Sequence, residues 1–133
     1  MKLFKPEDKS TFKYWFAHWC AFQMTALNLR AWKFKYLFHD FEKPWLRLIL
    51  PYEKVRNFHR RNNKHHLGYK NPLRYDYEAM VIDWECSRFT KEDAPMNARE
   101  TYEYFITKRY KEGDSTYKLL INNIPPLLEK FEL

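Results

Sequence analysis

The sequence predicts an all-α protein, a single compact bundle of about five to six helices, and three observations carry that expectation. Only two glycines occur, Gly68 and Gly113, among many long side chains, a balance that favours helices over a many-turned β architecture. Apolar residues recur at spacings of three and four, as in Phe12, Trp15, Phe16, Trp19 and Phe22. Breakers separate such runs, at Pro44, Pro51, Gly68 and Gly113. A chain of 133 residues is large enough for one core and too small for two, so residues 1–133 read as one domain. The scarcity of glycine also excludes the glycine-rich phosphate loops of nucleotide-binding folds.

The first helix should start between Asp8 and Thr11, capped by Asp8 or Ser10, and run to about Asn28. Its aromatic stripe from Phe12 to Phe22 reads as the buried face. His18 lies one helical step away, at four-residue spacing from Tyr14 and Phe22. A histidine in such a setting is either a core residue or a ligand. The second helix is expected over Ala31 to Lys43, stopping before Pro44. It carries His39 and Asp40 near its end, about 100° apart around the axis. Lys43 follows one turn later on the same side, where it can hold Asp40 ionised, meet a phosphate, or complement the helix dipole.

Trp45 to Leu50 reads as a short apolar element packed under the site and ended by Pro51. A third helix then runs from Pro51 or Tyr52 through Val55, Phe58 and His59 to about Asn62. Beyond it, Asn63, Lys64, His65, His66, Leu67 and Gly68 form a loop that can return His65 or His66 to the side of His59. The fourth helix, about Leu73 to Phe89, places Asp83 between Ile82 and Trp84. A carboxylate in that company needs a cation, a strong set of hydrogen bonds, or a salt bridge to another helix. The fifth helix is expected from Pro95 to Tyr110. A tail then restarts at Ser115 and breaks at Pro125-Pro126. No histidine lies in this last part. The candidate metal-site core is therefore about 10–90, and helices over 95–133 serve as scaffold or as the surface of a homodimer.

The net charge of +7 is concentrated between Lys54 and Arg74, where seven basic residues and no acidic one occur. Three of the five histidines share that segment, which points to an anionic ligand brought to a metal. Arg60, Arg61 and Lys64 are candidates to hold its phosphate, Arg in bidentate fashion. Tyr69 and Trp84 are candidates to stack on a base. A solvated basic face, or a grip on nucleic acid, would use the same charges. Cys20 and Cys86 read as reduced, buried thiols. The opening residues lack a signal-peptide core, and no apolar run reaches the ~18 residues of a membrane span. A cytoplasmic protein without membrane contact is the expectation.

The ordered set His18, His39-Asp40, His59, His65-His66 and Asp83 resembles the HD-domain superfamily of metal-dependent phosphohydrolases. Lys43 matches a lysine that many members carry after the His-Asp pair. The stretches Arg60 to His66 and Val81 to Trp84 look like a small family of HD-like proteins from bacteria and phages. The resemblance implies a helical fold, with His18, His39, Asp40 and Asp83 around one metal. Asp40 would bridge to a second metal held by His59 and by His65 or His66. Only five residues lie between His59 and His65, fewer than the superfamily's usual spacing, and the glycine-rich motif of cyclic-dinucleotide hydrolases is absent.

Imidazole and carboxylate donors suit one or two divalent ions of Fe, Mn, Zn or Co. The implied activity is hydrolysis of a nucleotide or other small phosphate ester by a metal-activated hydroxide, with Asp40 and Lys43 as catalytic residues. The same superfamily scaffold also houses di-iron oxygenases, which is the alternative chemistry. A third reading, from a different class, is a non-catalytic basic module for nucleic acid or an acidic partner.

Overall fold

The computed structural model describes residues 12–90 and 96–133. They form six α-helices: α1 (Phe12–Asn28), α2 (Glu42–Arg47), α3 (Tyr52–Asn62), α4 (Tyr77–Ser87), α5 (Ala98–Tyr104) and α6 (Ser115–Lys130). Short 3-10 turns occupy Phe34–Phe38 and Pro72–Arg74, and a π turn over Phe105–Arg109 prolongs α5. No strand occurs among the described residues, so the architecture is all-helical. No described helix is long and apolar enough to cross a membrane. The expected caps of the first helix, Asp8 and Ser10, lie outside the described residues.

Helix α4 is the axis of the bundle. Every residue from Ala79 to Ser87 is buried, as befits a helix apolar nearly all round, and it packs against α1, α5 and α6. Asp76 caps its start by accepting from the Ala79 N–H at 3.1 Å. The polar residues of α4 each have a use. Glu85 accepts from the Ala98 N–H at 3.1 Å and pairs with Arg88, so it joins α4 to α5 and points away from Asp83. Ser87 donates to the Asp83 carbonyl at 2.8 Å.

Helix α1 meets α4 through a different face from the aromatic stripe. Ala17, Ala21, Phe22 and Ala26 are buried, whereas Phe12 is 65% and Phe16 46% exposed. Three alanines allow close approach of the two helices, which large rings at the contact would prevent. Trp15 and Trp19 have another task. The Trp15 indole donates to the Asp40 carbonyl at 2.7 Å, Trp19 to the Leu37 carbonyl at 3.0 Å, and the Gln23 amide to the Tyr36 carbonyl at 2.5 Å. Positions 15, 19 and 23 are one helical turn apart, so a single row of donors fastens the segment 36–40 to α1.

That row corrects the expected helix over Ala31 to Lys43. The chain makes only the 3-10 turn, then places Asp40 at φ 55°, in the left-handed region that aspartate tolerates better than most residues. The carbonyls a helix would have satisfied internally are satisfied by side chains of α1 instead. Lys33 and Lys35 complete the anchorage by pairing with Glu78 and Asp76 at the start of α4, at 3.3 and 2.7 Å. Pro44 does not stop a helix. It sits in the first turn of α2, where a missing N–H costs nothing.

The expectation that Trp45 to Leu50 packs under the site also fails: Trp45 is 62%, and Leu48 and Ile49 are each 78% exposed. Phe34, Phe38, Phe41 and Trp45 form a ladder of touching rings, each more than two-fifths exposed. The expected break at Pro125-Pro126 is absent as well, because α6 continues to Lys130. Both prolines are exposed, so the carbonyls they leave unbonded face water, while Leu120, Ile124 and Leu128 bury the opposite stripe. Cys20 and Cys86 are free thiols; Cys86 is fully buried, but Cys20, expected to be buried, is only partly so.

Candidate metal centre

Five elements deliver donors to one point. His18 comes from α1, His39 and Asp40 from the turn before α2, His59 from α3, His65 and His66 from the loop after it, and Asp83 from α4. They fall into two groups that share Asp40: His18, His39, Asp40 and Asp83, and Asp40, His59, His65 and His66. Within each group, one donor atom per residue lies within 4.8 Å of all the others. His18, His39, Asp40, His59, His65 and Asp83 are all less than a tenth exposed.

The loop that brings in His65 and His66 follows from the end of α3. The Asn63 amide donates to the His59 carbonyl at 2.8 Å and Asn62 to the Phe58 carbonyl at 2.9 Å, closing the helix with side chains. The Lys70 N–H then returns to the Arg61 carbonyl, and the Asp76 N–H to the Lys64 carbonyl. Both histidines are thereby folded back beside His59. His65 is the nearer to Asp40, with Nε2 at 3.2 Å from Oδ1.

The spacings match a coordination shell. Asp40 Oδ1 lies 2.9 Å from His59 Nε2 and 3.4 Å from His39 Nε2, while Oδ2 lies 3.4 Å from His18 Nε2. His18 Nε2 is 2.9 Å from Asp83 Oδ1, and the Nε2 atoms of His18 and His39 are 3.3 Å apart. Metal–ligand bonds of about 2.0–2.2 Å place neighbouring donors roughly 3.0–3.4 Å apart in octahedral or tetrahedral geometry. Hydrogen bonding accounts for only part of the cluster, the His18–Asp83 and His18–His39 contacts. Asp40 Oδ1, His59 Nε2 and His65 Nε2 are buried without a hydrogen-bond partner despite their proximity. Unsatisfied buried polar atoms that converge on one point are what a cation resolves. The two groups of donors could each hold a metal ion.

Outer contacts fix the rings. Glu42 accepts from His59 Nδ1 and from the Asn63 amide, so Nε2 is the nitrogen turned to the cluster. His39 is stacked on Phe22, ring centroids 3.7 Å apart and 12° from parallel. Tyr14 stacks on His18 at 6.3 Å. Lys43 Nζ lies 3.4 Å from Asp40 Oδ2.

Electrostatics separate the imidazoles. Burial opposes charge on His18, but contacts with Cys86, Asp40 and Asp83 outweigh it and raise its pKa well above the ordinary range. His59 is raised in the same way, against burial, by Asp40 and Glu42. In His39 burial prevails over both aspartates and lowers it to about 4. His66 is lowered by burial and by neighbouring His65. Asp40 and Asp83 are held well below the carboxylate range, burial being overcome by the imidazoles and, for Asp40, Lys43. Burial pushes the Cys86 thiol up to about 11.

Two cavities reach the cluster. One, of about 200 Å³, runs from Phe12, Trp15 and Leu48 to His18, Asp40 and Lys43. The other, of about 580 Å³, meets His65, His66 and Asp83 and is walled by Arg60, Trp84 and Arg109. Of the candidate substrate residues, Arg60 lines this larger cavity. Arg61, Lys64 and Tyr69 line neither, and Tyr69 is packed against the core. Helix α5 and its π turn contribute Tyr104, Phe105 and Arg109 to the same wall. Glu42, Asn63 and Arg109 are given no place at the site by the sequence. Glu42 had a signal, a carboxylate three residues after His39, whereas Arg109 had none. Compared with family models, curated proteins and solved structures, the chain finds no match.

Proposed function

We propose that the protein is an HD-type metal-dependent phosphohydrolase acting on a nucleotide or other small phosphate ester. The observation that carries this reading is Asp40, whose two oxygens serve two histidine groups at once while Lys43 stands beside it. A carboxylate shared in this way suits a pair of divalent ions, which when bound would supply an acidified water and neutralise charge on a phosphoryl oxygen. The chain's own residues do the rest. Lys43 presents a fixed positive charge beside the cluster, raised against burial by Asp40 and Asp83, and so remains able to meet a developing oxyanion. Arg60 offers a planar donor fork from the wider cavity. Glu42 holds His59 in one tautomer, and Trp15 holds the Asp40 backbone in place.

The test is a screen of nucleoside phosphates and simple phosphate esters with metal-loaded protein, repeated after chelation and after metal is restored. Release of phosphate that follows the metal, and that falls about a hundredfold in Lys43→Ala with metal content unchanged, is the expected result. Full loading with no turnover on any ester would refute the reading. Iron with oxygen-dependent colour changes would move it to the oxygenase chemistry.

A further inference from the structure

The smaller cavity has a character that the phosphohydrolase reading does not require. Its walls are Phe12 and Trp15 of α1, Leu48 beyond α2, and Tyr52 and Val55 of α3, and its inner end is formed by His18, Asp40 and Lys43. Arg47 also lines it, with Nη1 donating to the Leu50 carbonyl at 3.1 Å. The geometry points to a subsite for a compact apolar or aromatic substituent on an anionic substrate, whose charged end faces Lys43 and the cluster. This rests on the proposed site for the anion, but the apolar part has its own support.

Water inside such a space finds few polar partners along the Val55, Leu48 and Phe12 walls, so an apolar group displaces it at a gain. The size is right for a ring or short chain: an apolar cavity of about 150 Å³ accommodates benzene, and this one measures about 200 Å³. Placement is also specific. Val55 is 1% exposed and closes one wall, whereas Phe12 and Leu48, at 65% and 78%, are exposed at the mouth, Phe12 with its ring against Trp15. The exposure of Leu48, wasteful for a residue meant only to pack, is then the rim of an entrance. Beyond the cluster, the cavity with Arg60 and Arg109 offers a broader and more charged space, so the two sides of the centre would receive chemically different parts of one substrate.

The experiment is calorimetric titration with methylphosphonate, a series of n-alkylphosphonates and phenylphosphonate. Their C–P bond leaves binding as the readout. Metal-loaded and metal-free protein are both titrated, with metal content measured in parallel. Affinity should rise about fourfold per methylene until the space is filled, and phenylphosphonate should bind more than tenfold tighter than methylphosphonate. The Phe12→Ser/Leu48→Ser double variant alters only side chains exposed at the mouth. It should lower the phenyl-to-methyl ratio about fivefold or more. Equal affinity for the phenyl and methyl compounds, or a ratio unchanged in the double variant, overturns the assignment. Metal uptake without any dependence on the substituent would leave the phosphohydrolase reading intact and remove the subsite. A substituent preference in protein that takes up no metal would keep the subsite and remove that reading.

Discussion

Asp40 shows how much one residue can carry here. It adopts a left-handed backbone, receives Trp15 at its carbonyl, and turns both carboxylate oxygens into a buried cluster of imidazoles. The candidate donors were legible from the sequence as types in order, through their likeness to the HD-domain pattern, and Asp83 also because a carboxylate between Ile82 and Trp84 needs a partner. The way His39 and Asp40 reach the cluster was not legible. A helix was the local expectation, and the bonds that replace it come from residues 13 to 25 positions earlier. Glu42 orients His59, so Glu42→Gln should weaken metal affinity by about 10–100-fold while leaving helical content unchanged, as competition with a chromogenic chelator would measure.

Protons provide a second residue-scale prediction. A cation takes imidazole in its neutral form. In metal-free protein His18 and His59 keep their protons above the ordinary range, whereas His39, lowered to about 4, is already neutral at pH 7. Metal uptake at pH 7 should therefore release protons, and release fewer as pH rises through the values of His18 and His59. Titration in two buffers of different ionisation enthalpy reads this number directly. Metal uptake at pH 7 without proton release would contradict the assignment of these two residues.

At the scale of elements, long-range fastening decided where sequence periodicity misled. The spacing of Phe12, Trp15, Phe16 and Trp19 is helical, and the helix exists, yet its buried face belongs to Ala17, Ala21, Phe22 and Ala26. Periodicity fixes the element but cannot separate two adjacent faces when both are apolar. Pro125-Pro126 misled for a related reason, since a proline pair argues for a break and only the burial of Ile124 and Leu128 keeps α6 whole. The row formed by Trp15, Trp19 and Gln23 should be functional as well as structural. Trp15→Phe leaves the Asp40 carbonyl without its donor and should cost about 1–3 kcal/mol of stability. It should also lower metal affinity, because the Asp40 backbone loses its restraint. Ile124→Ala, in neither donor group and lining neither cavity, should cost about 2–5 kcal/mol in denaturant unfolding and leave metal affinity unaltered in the fraction that folds.

For the whole molecule, the cluster makes stability a function of both pH and metal. Asp40 and Asp83 have folded pKa values below their unfolded ones, so they stabilise the fold above about pH 4 and lose that contribution as pH falls through the folded values. His18 and His59 are raised, so their contribution is complete below about pH 6.5 and disappears as pH rises through the folded values. His39, lowered to about 4, acts against stability once pH drops below its ordinary range. Metal-free protein should thus be most stable near neutrality and weaken towards alkaline pH. A bound cation takes the place of the displaced protons, and at a hundredfold excess over Kd it should add about 2.7 kcal/mol. Its effect on Tm should be larger at pH 9 than at pH 6.

The most direct measurement is the metal content per chain of protein purified without chelator or histidine tag, for wild type and for Asp40→Asn. Asparagine keeps the volume and tolerates the left-handed backbone, so the fold should persist and circular dichroism should be unchanged. One to two transition-metal ions per wild-type chain, lost in the variant, is the predicted result. Wild-type protein that holds no metal after reconstitution, or Asp40→Asn that holds the full complement, would contradict the central claim.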